Sequence, residues 1–233
     1  SSQVNVGDLL AQLGVAEGLA MTAGGFNLDL AMQGASTREI LKRSSLSVGI
    51  KDGAWKLTAP GAEGGLEIQV PQATISAEPE QPIGLAIDGR IDRAPVKIEI
   101  TTDTLASFAT AKERLKLDVK VALAQAQLNL TGAAPLPVQA ENLHFAMDFQ
   151  GERFSDFDEL LDVDLPPIGP YRLGGKFGSR PSGYYVEELQ VTIGESTLDG
   201  KLDFKTGEQP PRLDIALVAK HIQLDDFDTG DWS

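Results

Sequence analysis

Residues 115–130 read LKLDVKVALAQAQLNL, and this stretch decides the fold. Leucine or valine occupies every second position from Leu115 to Leu123, and the alternation resumes out of phase from Ala126. A period of two places apolar side chains on one face of a β-strand and polar side chains on the other. The change of phase at residues 124–125 predicts a tight hairpin or a bulge. The stretch therefore predicts two antiparallel strands that share one apolar face.

The same alternation recurs along most of the chain, in runs that begin near Phe26, Leu46, Ile83, Val96, Leu143, Leu189, Leu198 and Leu213. Strands buried on both faces of a parallel sheet would read as continuous apolar runs instead. Turn or bulge signals include residues 51–53 (Lys-Asp-Gly) and residues 199–200 (Asp-Gly). Capping residues predict short helices at residues 36–41, 103–108 and 155–161. A leucine pair followed by Gly14, a residue that often ends helices, predicts another at residues 7–13.

These patterns predict an all-β fold, mainly β with a few short helices. The strands are expected to form an elongated, twisted antiparallel sheet that is curled into a trough-like groove. The length of 233 residues fits one domain, and we expect residues 1–233 to form a single one. Because the chain begins and ends abruptly, we expect it to be a segment of a longer protein.

Composition excludes several classes of function. The chain has 20 Lys and Arg against 34 Asp and Glu, which gives a net charge of −14. A protein this acidic does not bind nucleic acid by neutralising phosphates. Cysteine is absent, which excludes disulfides, iron–sulfur clusters, thiolate zinc sites and a cysteine nucleophile. No run of 18 apolar residues occurs, as a membrane-spanning helix would require.

The sequence gives little support for catalysis. The two histidines, His144 and His221, each lie in or beside an alternating run, where a histidine usually faces solvent. Ser196 lies in a Gly-Glu-Ser-Thr-Leu context, but a nucleophile elbow needs glycine in place of that leucine. The acidic residues 225–231 lack the spacing of an EF-hand calcium loop. We predict no catalytic residue, no metal site and no cofactor, and hence a protein that is not an enzyme.

The apolar face of the strands remains as the candidate site. It is either a buried core or an exposed trough that holds lipid tails, and composition does not separate these alternatives. In a trough, the apolar side chains would make dispersion contacts with acyl chains without polar recognition. The candidate lipid-contacting residues come from the long runs in the middle and C-terminal parts of the chain: Val119, Val121, Leu128, Leu130, Phe145, Met147, Val191 and Leu202.

Several segments, taken in order, resemble the AsmA family. They include residues 27–57 (NLDLAMQGASTREILKRSSLSVGIKDGAWKL), residues 160–175 (LLDVDLPPIGPYRLGG) and residues 191–204 (VTIGESTLDGKLDF). The resemblance implies a periplasmic segment of a protein anchored in the inner membrane of a Gram-negative envelope, with the anchor outside this chain. It also implies repeating β-groove relatives that transfer phospholipid, and a role in outer-membrane biogenesis and phospholipid homeostasis. The implied partners are phospholipid or other lipid acyl chains.

Two other functions remain open at this point. The first is a non-enzymatic scaffold that assists outer-membrane protein assembly and recruits envelope proteins through exposed sheet edges. The second is a hydrolase that uses the acidic loop of Asp162 and Asp164. Lipid that remains bound to the purified protein would favour the trough, and a closed dry core would favour the scaffold. A polar cluster that converges in one pocket would favour the enzyme.

Overall fold

A computed structural model describes residues 4–5, 19–57, 66–91, 93–108, 114–135, 142–208 and 210–228. Most of these residues lie in strands that form one antiparallel sheet, as the alternation predicts. The strands are β1 (Val4–Asn5), β2 (Leu19–Ala23), β3 (Gly25–Ala31), β4 (Ser45–Leu57), β5 (Leu66–Ala77), β6 (Pro82–Ile91), β7 (Ala94–Thr104), β8 (Arg114–Leu123), β9 (Ala126–Pro135), β10 (His144–Gly151), β11 (Tyr171–Arg180), β12 (Gly183–Ile193), β13 (Ser196–Lys205) and β14 (Arg212–His221).

Strand order in the sheet follows the order of the chain. From β4 to β14 each strand pairs with the next one, in a continuous meander. Strands β2 and β3 both pair with β4, β2 along its second half and β3 along its first, so together they occupy one position in the sheet. Among the described strands β14 pairs with β13 alone, and the sheet is therefore open.

The hairpin predicted from the change of phase is confirmed. Ala124 and Gln125 connect β8 to β9 with φ angles of 49° and 61°. Two successive residues with positive φ suit the twist of a tight two-residue hairpin. The turn places Val121 opposite Leu128, so the apolar residues of both strands lie on the same face.

Three irregularities lie side by side in the first strands and keep that face apolar. Asp52 has a φ angle of 52° inside β4, so residues 51–53 form a bulge within a long strand. Gly24 interrupts the strand between β2 and β3. Its N–H donates to the carbonyl oxygens of Lys51 and Asp52, both at 3.1 Å. The pairing of β5 with β6 shifts its register between residues 69 and 72. At each irregularity the strand contains one extra residue, which shifts its apolar alternation by one position. Because the neighbouring strands shift at the same place, their apolar side chains stay on the same face of the sheet.

One predicted turn signal was wrong. Residues 199–200 lie inside β13, where Gly200 pairs with Leu189 on one side and Leu217 on the other. The nearby irregularity lies instead in β12, where Glu188 has a φ angle of 50° and the register with β13 shifts. An Asp-Gly pair marks a turn only where the backbone needs a positive φ angle. In this part of the sheet Glu188, and not Gly200, adopts the positive φ angle.

The sheet curves around its apolar face. Side chains on this face, such as Ile87, Val96 and Leu115, are buried, whereas the adjacent outward side chains of Asp88 and Lys97 are exposed. In a single layer of strands, one face becomes buried only where the sheet curls over it or a connecting segment covers it. We call this inner, apolar face the trough face.

The helices are short: α1 (Thr37–Arg43), α2 (Leu105–Phe108), α3 (Asp158–Leu161) and the 3-10 turns Phe154–Phe157 and Leu224–Phe227. Ser36 caps α1, as predicted, and its side chain accepts a hydrogen bond from the backbone of Glu39 at 3.3 Å. The cap of α2 is Thr104, which accepts from the N–H of Ser107, and not the neighbouring Asp103. Helices α1 and α2 lie against each other. The helix predicted at residues 7–13 lies outside the described residues.

Candidate functional site

A row of apolar residues crosses the trough face from β3 to β14 without interruption. We call it the central row, and each member is the direct cross-strand partner of the next: Phe26, Ile50, Ala73, Ile87, Ile98, Val121, Leu128, Phe149, Leu173, Val191, Leu198 and Ala219. Neighbouring strands lie about 4.8 Å apart, so the row follows the curved sheet for about 50 Å. No member carries a polar side chain. The row is therefore an apolar path that runs across the strands.

All eight residues predicted as lipid contacts lie on the trough face. Val121, Leu128 and Val191 belong to the central row. The others lie beside it: Val119, Leu130 and Met147 pair in an adjacent row, Phe145 pairs with Gly132 and Phe177, and Leu202 pairs with Val186 and Ile215. Phe145 and Val191 are buried, and the other six are half-buried. The structure thus brings the residues of β8, β9 and β10 into one patch, with Val191 and Leu202 farther along the sheet.

Exposure of the trough face increases toward both edges of the sheet. On β3, Leu28 is 54% exposed, and on β14, Ile215 is also 54% exposed. Between them, Val121 and Leu128 of the central row are half-buried, whereas Ile50, Ala73 and Ile87 of the same row are buried. The apolar face therefore remains in partial contact with solvent, most of all at the two edges.

One part of the trough face is closed. Val70 has no exposed surface and packs in a buried cluster with Ile68, Ile91 and Val96. The same cluster includes Ile50, Ala73 and Ile87 of the central row. Leu160 of α3 packs against the same cluster, although β8 and β9 separate α3 from β7 in the sheet. The connection between β10 and β11 therefore crosses the trough and covers the cluster around Val70. We call this connection, residues 152–170, the plug.

Aromatic stacking holds the plug in place. The ring of Phe154 lies flat on that of Tyr171, with centroids 4.3 Å apart and planes 9° from parallel. Phe149 contacts both Tyr171 and Phe157 at centroid distances of 5.4 and 6.2 Å. Tyr171 is buried, and burial, reinforced by the charge of Asp156, raises the pKa of its hydroxyl to about 12.

We expect Leu160→Asp to lower the free energy of unfolding by about 1–3 kcal/mol, because a carboxylate would replace a methyl pair in an apolar contact. Leu161 is its matched control, because it lies on the same helix and is exposed. Leu161→Asp should change the free energy of unfolding by less than about 0.5 kcal/mol. Urea unfolding of both variants measures the difference. Equal midpoints for the two variants would mean that the plug contributes no packing energy.

Asp226 binds the start of β13 from the 3-10 turn that follows β14. One of its carboxylate oxygens accepts hydrogen bonds from the Ser196 hydroxyl at 2.6 Å, the Ser196 N–H at 2.7 Å and the Glu195 N–H at 3.0 Å. The Ser196 hydroxyl in turn accepts from the N–H of Gln223 at 2.9 Å. Ser196 is buried, and its hydroxyl serves this contact, so it does not have the geometry of a nucleophile.

The contact between Asp226 and Ser196 should depend on pH. The hydrogen bond from the Ser196 hydroxyl, aided by two backbone N–H groups, lowers the pKa of Asp226 below its ordinary value of 3.8. A lowered pKa means that the contact stabilises the fold fully above pH 3.8 and is lost as the pH falls through the pKa of the folded protein.

Amide hydrogen exchange should show this loss. We expect the Ser196 amide to lose protection at acidic pH in the parent protein. The Asp226→Asn variant, which cannot ionise, should show reduced protection of that amide at neutral pH and little further change on acidification. If both proteins lost protection equally on acidification, a group other than Asp226 would control this contact.

The polar residues considered for catalysis do not converge. His144 and His221 are exposed on β10 and β14, and Asp162 and Asp164 are exposed in the plug. Within the described ranges, no group of three or more His, Asp and Glu side chains could hold a metal ion. Across the same ranges, no helix has the length and apolar character needed to span a membrane.

The fold and the site define a class: an open, single-layer antiparallel β-meander with one apolar face crossed by a continuous row. No protein-family model, no curated protein and no solved structure matches the chain. The resemblance to the AsmA family therefore stays a prediction.

Proposed function

We propose that the trough face binds lipid acyl chains and gives them a path along the sheet, without a catalytic step. The observation that supports this most is the central row, in which twelve apolar residues follow one another across the strands. A core that served only stability would need to be covered by a second layer. In the described residues, the trough face is buried around Val70 and around Val191, and it stays half-buried between these two places, on β8 and β9.

The energetics favour acyl chains as the ligand. Each methylene group removed from water contributes about 0.8 kcal/mol, so partial burial of one long acyl chain is enough for measurable affinity. The contact needs no hydrogen bond, which suits a face without polar side chains along its central row. Affinity should therefore depend on chain length and depend little on the headgroup.

The cellular context is part of the proposal and rests on the resemblance to the AsmA family. The chain would act in the periplasm as a segment of a protein anchored in the inner membrane. It would take part in outer-membrane biogenesis and phospholipid homeostasis by holding phospholipid or passing it along the trough.

Two measurements test the proposal. Native mass spectrometry of the protein purified from bacterial envelopes should show bound phospholipid. Uptake of a phospholipid with a fluorescent acyl chain should be competed by phospholipids with different headgroups, and not by glycerophosphocholine, which lacks acyl chains. A protein that carries no lipid and takes up none would contradict the proposal.

A second candidate, the scaffold, is favoured by the exposed apolar side chains at the edge strand β14, such as Leu213 and Leu217. A scaffold would bind an envelope protein there by adding its strand to the sheet. It would bind this partner equally well with or without lipid. Under the lipid proposal, blocking β14 leaves uptake at the middle of the trough unchanged.

A further inference from the structure

Strand β14 has the properties of an edge that pairs with another strand. Among the described strands it contacts β13 alone, and Val218, on the outer face of the sheet, is 71% exposed. After His221 the chain turns back toward β13, where Asp226 binds Ser196. This contact directs residues 222–228 away from the outer edge of β14.

The sequence of β14 lacks the usual protection of an edge. Residues 215–219 (IALVA) contain no charge, no proline and no glycine, whereas natural edges usually carry such residues. Ala216 and Val218 lie on the outer face, where the neighbouring β13 carries the charged residues Asp199, Lys201 and Asp203. Next to the charged outer side chains of β13, the outer face of β14 is thus apolar at these two positions.

We propose that two copies of this chain associate through β14, antiparallel, about a twofold axis at Leu217. Such an axis brings Asp214 of each copy next to Lys220 of the other, which is the extra residue where the pairing of β14 with β13 shifts, so two pairs of opposite charges form. Between them, Ala216 lies opposite Val218 on the outer face, and Ile215 lies opposite Ala219 on the trough face. Because the axis is perpendicular to the sheet, the trough faces of both copies join into one surface.

Other positions of the axis are less favourable. An axis at Ala216 would place Arg212 opposite Lys220, which is a pair of like charges, and Asp214 opposite Val218. An axis at Ile215 or Val218 would bring no opposite charges together. Leu217 is thus the one centre among these four residues at which the charges of β14 are self-complementary.

The charges concerned lie where a second copy can reach them. Asp214 contacts Lys205 at 2.9 Å and Arg212 at 2.7 Å, and Lys220 contacts Asp199 within its own chain. Their side chains remain partly exposed on the outer face, so a second copy would extend these pairs into a network. One strand per copy buries less than the roughly 800 Å² per partner of a stable complex, so we expect a reversible, concentration-dependent dimer.

Cysteine cross-linking tests the register, because the chain has no cysteine of its own. Under mild oxidation, Leu217→Cys should form a disulfide-linked dimer at least about ten times faster than Ile215→Cys or Ala219→Cys, whose cysteines would lie about 13 Å apart. A mixture of the Ile215→Cys and Ala219→Cys proteins should link to each other. Equal rates for all three variants would overturn the register.

Charge reversal tests the association itself. By sedimentation velocity, Asp214→Lys and Lys220→Asp should each raise the dissociation constant of the dimer at least about tenfold, because each places two pairs of like charges in the interface. A mixture of the two variants should dimerise like the parent, since every Lys would again face an Asp. A parent protein that stays monomeric at all concentrations would overturn the proposal, as would a mixture that fails to associate.

Discussion

Val121→Glu should abolish phospholipid uptake and leave the protein folded. Val121 lies in the middle of the central row, where it borders the closed cluster but is itself half-buried, so a glutamate there can extend its carboxylate to solvent. The charge would interrupt the apolar path, because acyl chains would have to pass a hydrated group. We expect the free energy of unfolding to fall by less than about 2 kcal/mol and uptake to fall to background. Met147→Glu, in the adjacent row, should behave in the same way.

The chain offers matched controls for these two variants. Ala122 and Ala146 each lie next to a target residue, on the outer face, and both are exposed. Ala122→Glu and Ala146→Glu add the same charge to the same strands and should leave both uptake and stability near those of the parent. A collapsed unfolding midpoint with near-normal uptake for the trough-face variants would reject the lipid path and favour the scaffold.

Val70→Asp should have the opposite effect and unfold the protein. Val70 has no exposed surface, and its strand pairs it with Gly53 of β4. A carboxylate at this site would be buried without a partner, and we expect a loss of at least about 4 kcal/mol in the free energy of unfolding. Urea unfolding and circular dichroism measure this loss.

Two further variants separate charge from volume at this position. Val70→Ala removes volume without adding charge and should cost about 2 kcal/mol. Gln69→Asp adds the charge at an adjacent, exposed position opposite Arg90 and should be nearly neutral. If Val70→Asp unfolded at the midpoint of the parent, solvent would reach this cluster and the plug would not close the trough.

Strand identity was predictable because period two is a local property of the sequence. The hairpin at Ala124 was predictable for the same reason, because the change of phase involves only consecutive residues of the sequence. The alignment of the irregularities at Gly24, Asp52 and the middle of β5 was not predictable. It depends on which residues of different strands lie side by side, and that register is set by pairing across the sheet.

The candidate site was predicted in part. The long runs of β8, β9 and β10 supplied most of the predicted residues. The sequence does not single out the first five members of the central row, from Phe26 to Ile98, because their runs are shorter or bulged. Alternation of the N-terminal runs could have added these residues. The stacking of Phe154 on Tyr171 joins residues from the two ends of the plug, and no local pattern signals it.

The acidic C-terminal residues show a different limit of sequence patterns. The spacing of residues 225–231 does not fit a calcium-binding loop. The structure gives Asp226 a role as an acceptor for Ser196, thirty positions earlier in the chain. A carboxylate that accepts backbone N–H groups needs no neighbouring acid and leaves no motif.

The meander has a consequence for how the chain folds. Because each strand from β4 onward pairs with its neighbour in sequence, most contacts join residues only one hairpin apart. Low sequence separation of contacts favours fast folding, since little loop-closure entropy is lost at each step. Folding can therefore start at a strong hairpin such as β8–β9 and spread in both directions by adding one strand at a time. A sheet assembled in this way gains or loses whole hairpins at its edges without rearranging its middle, much as repeat proteins change length.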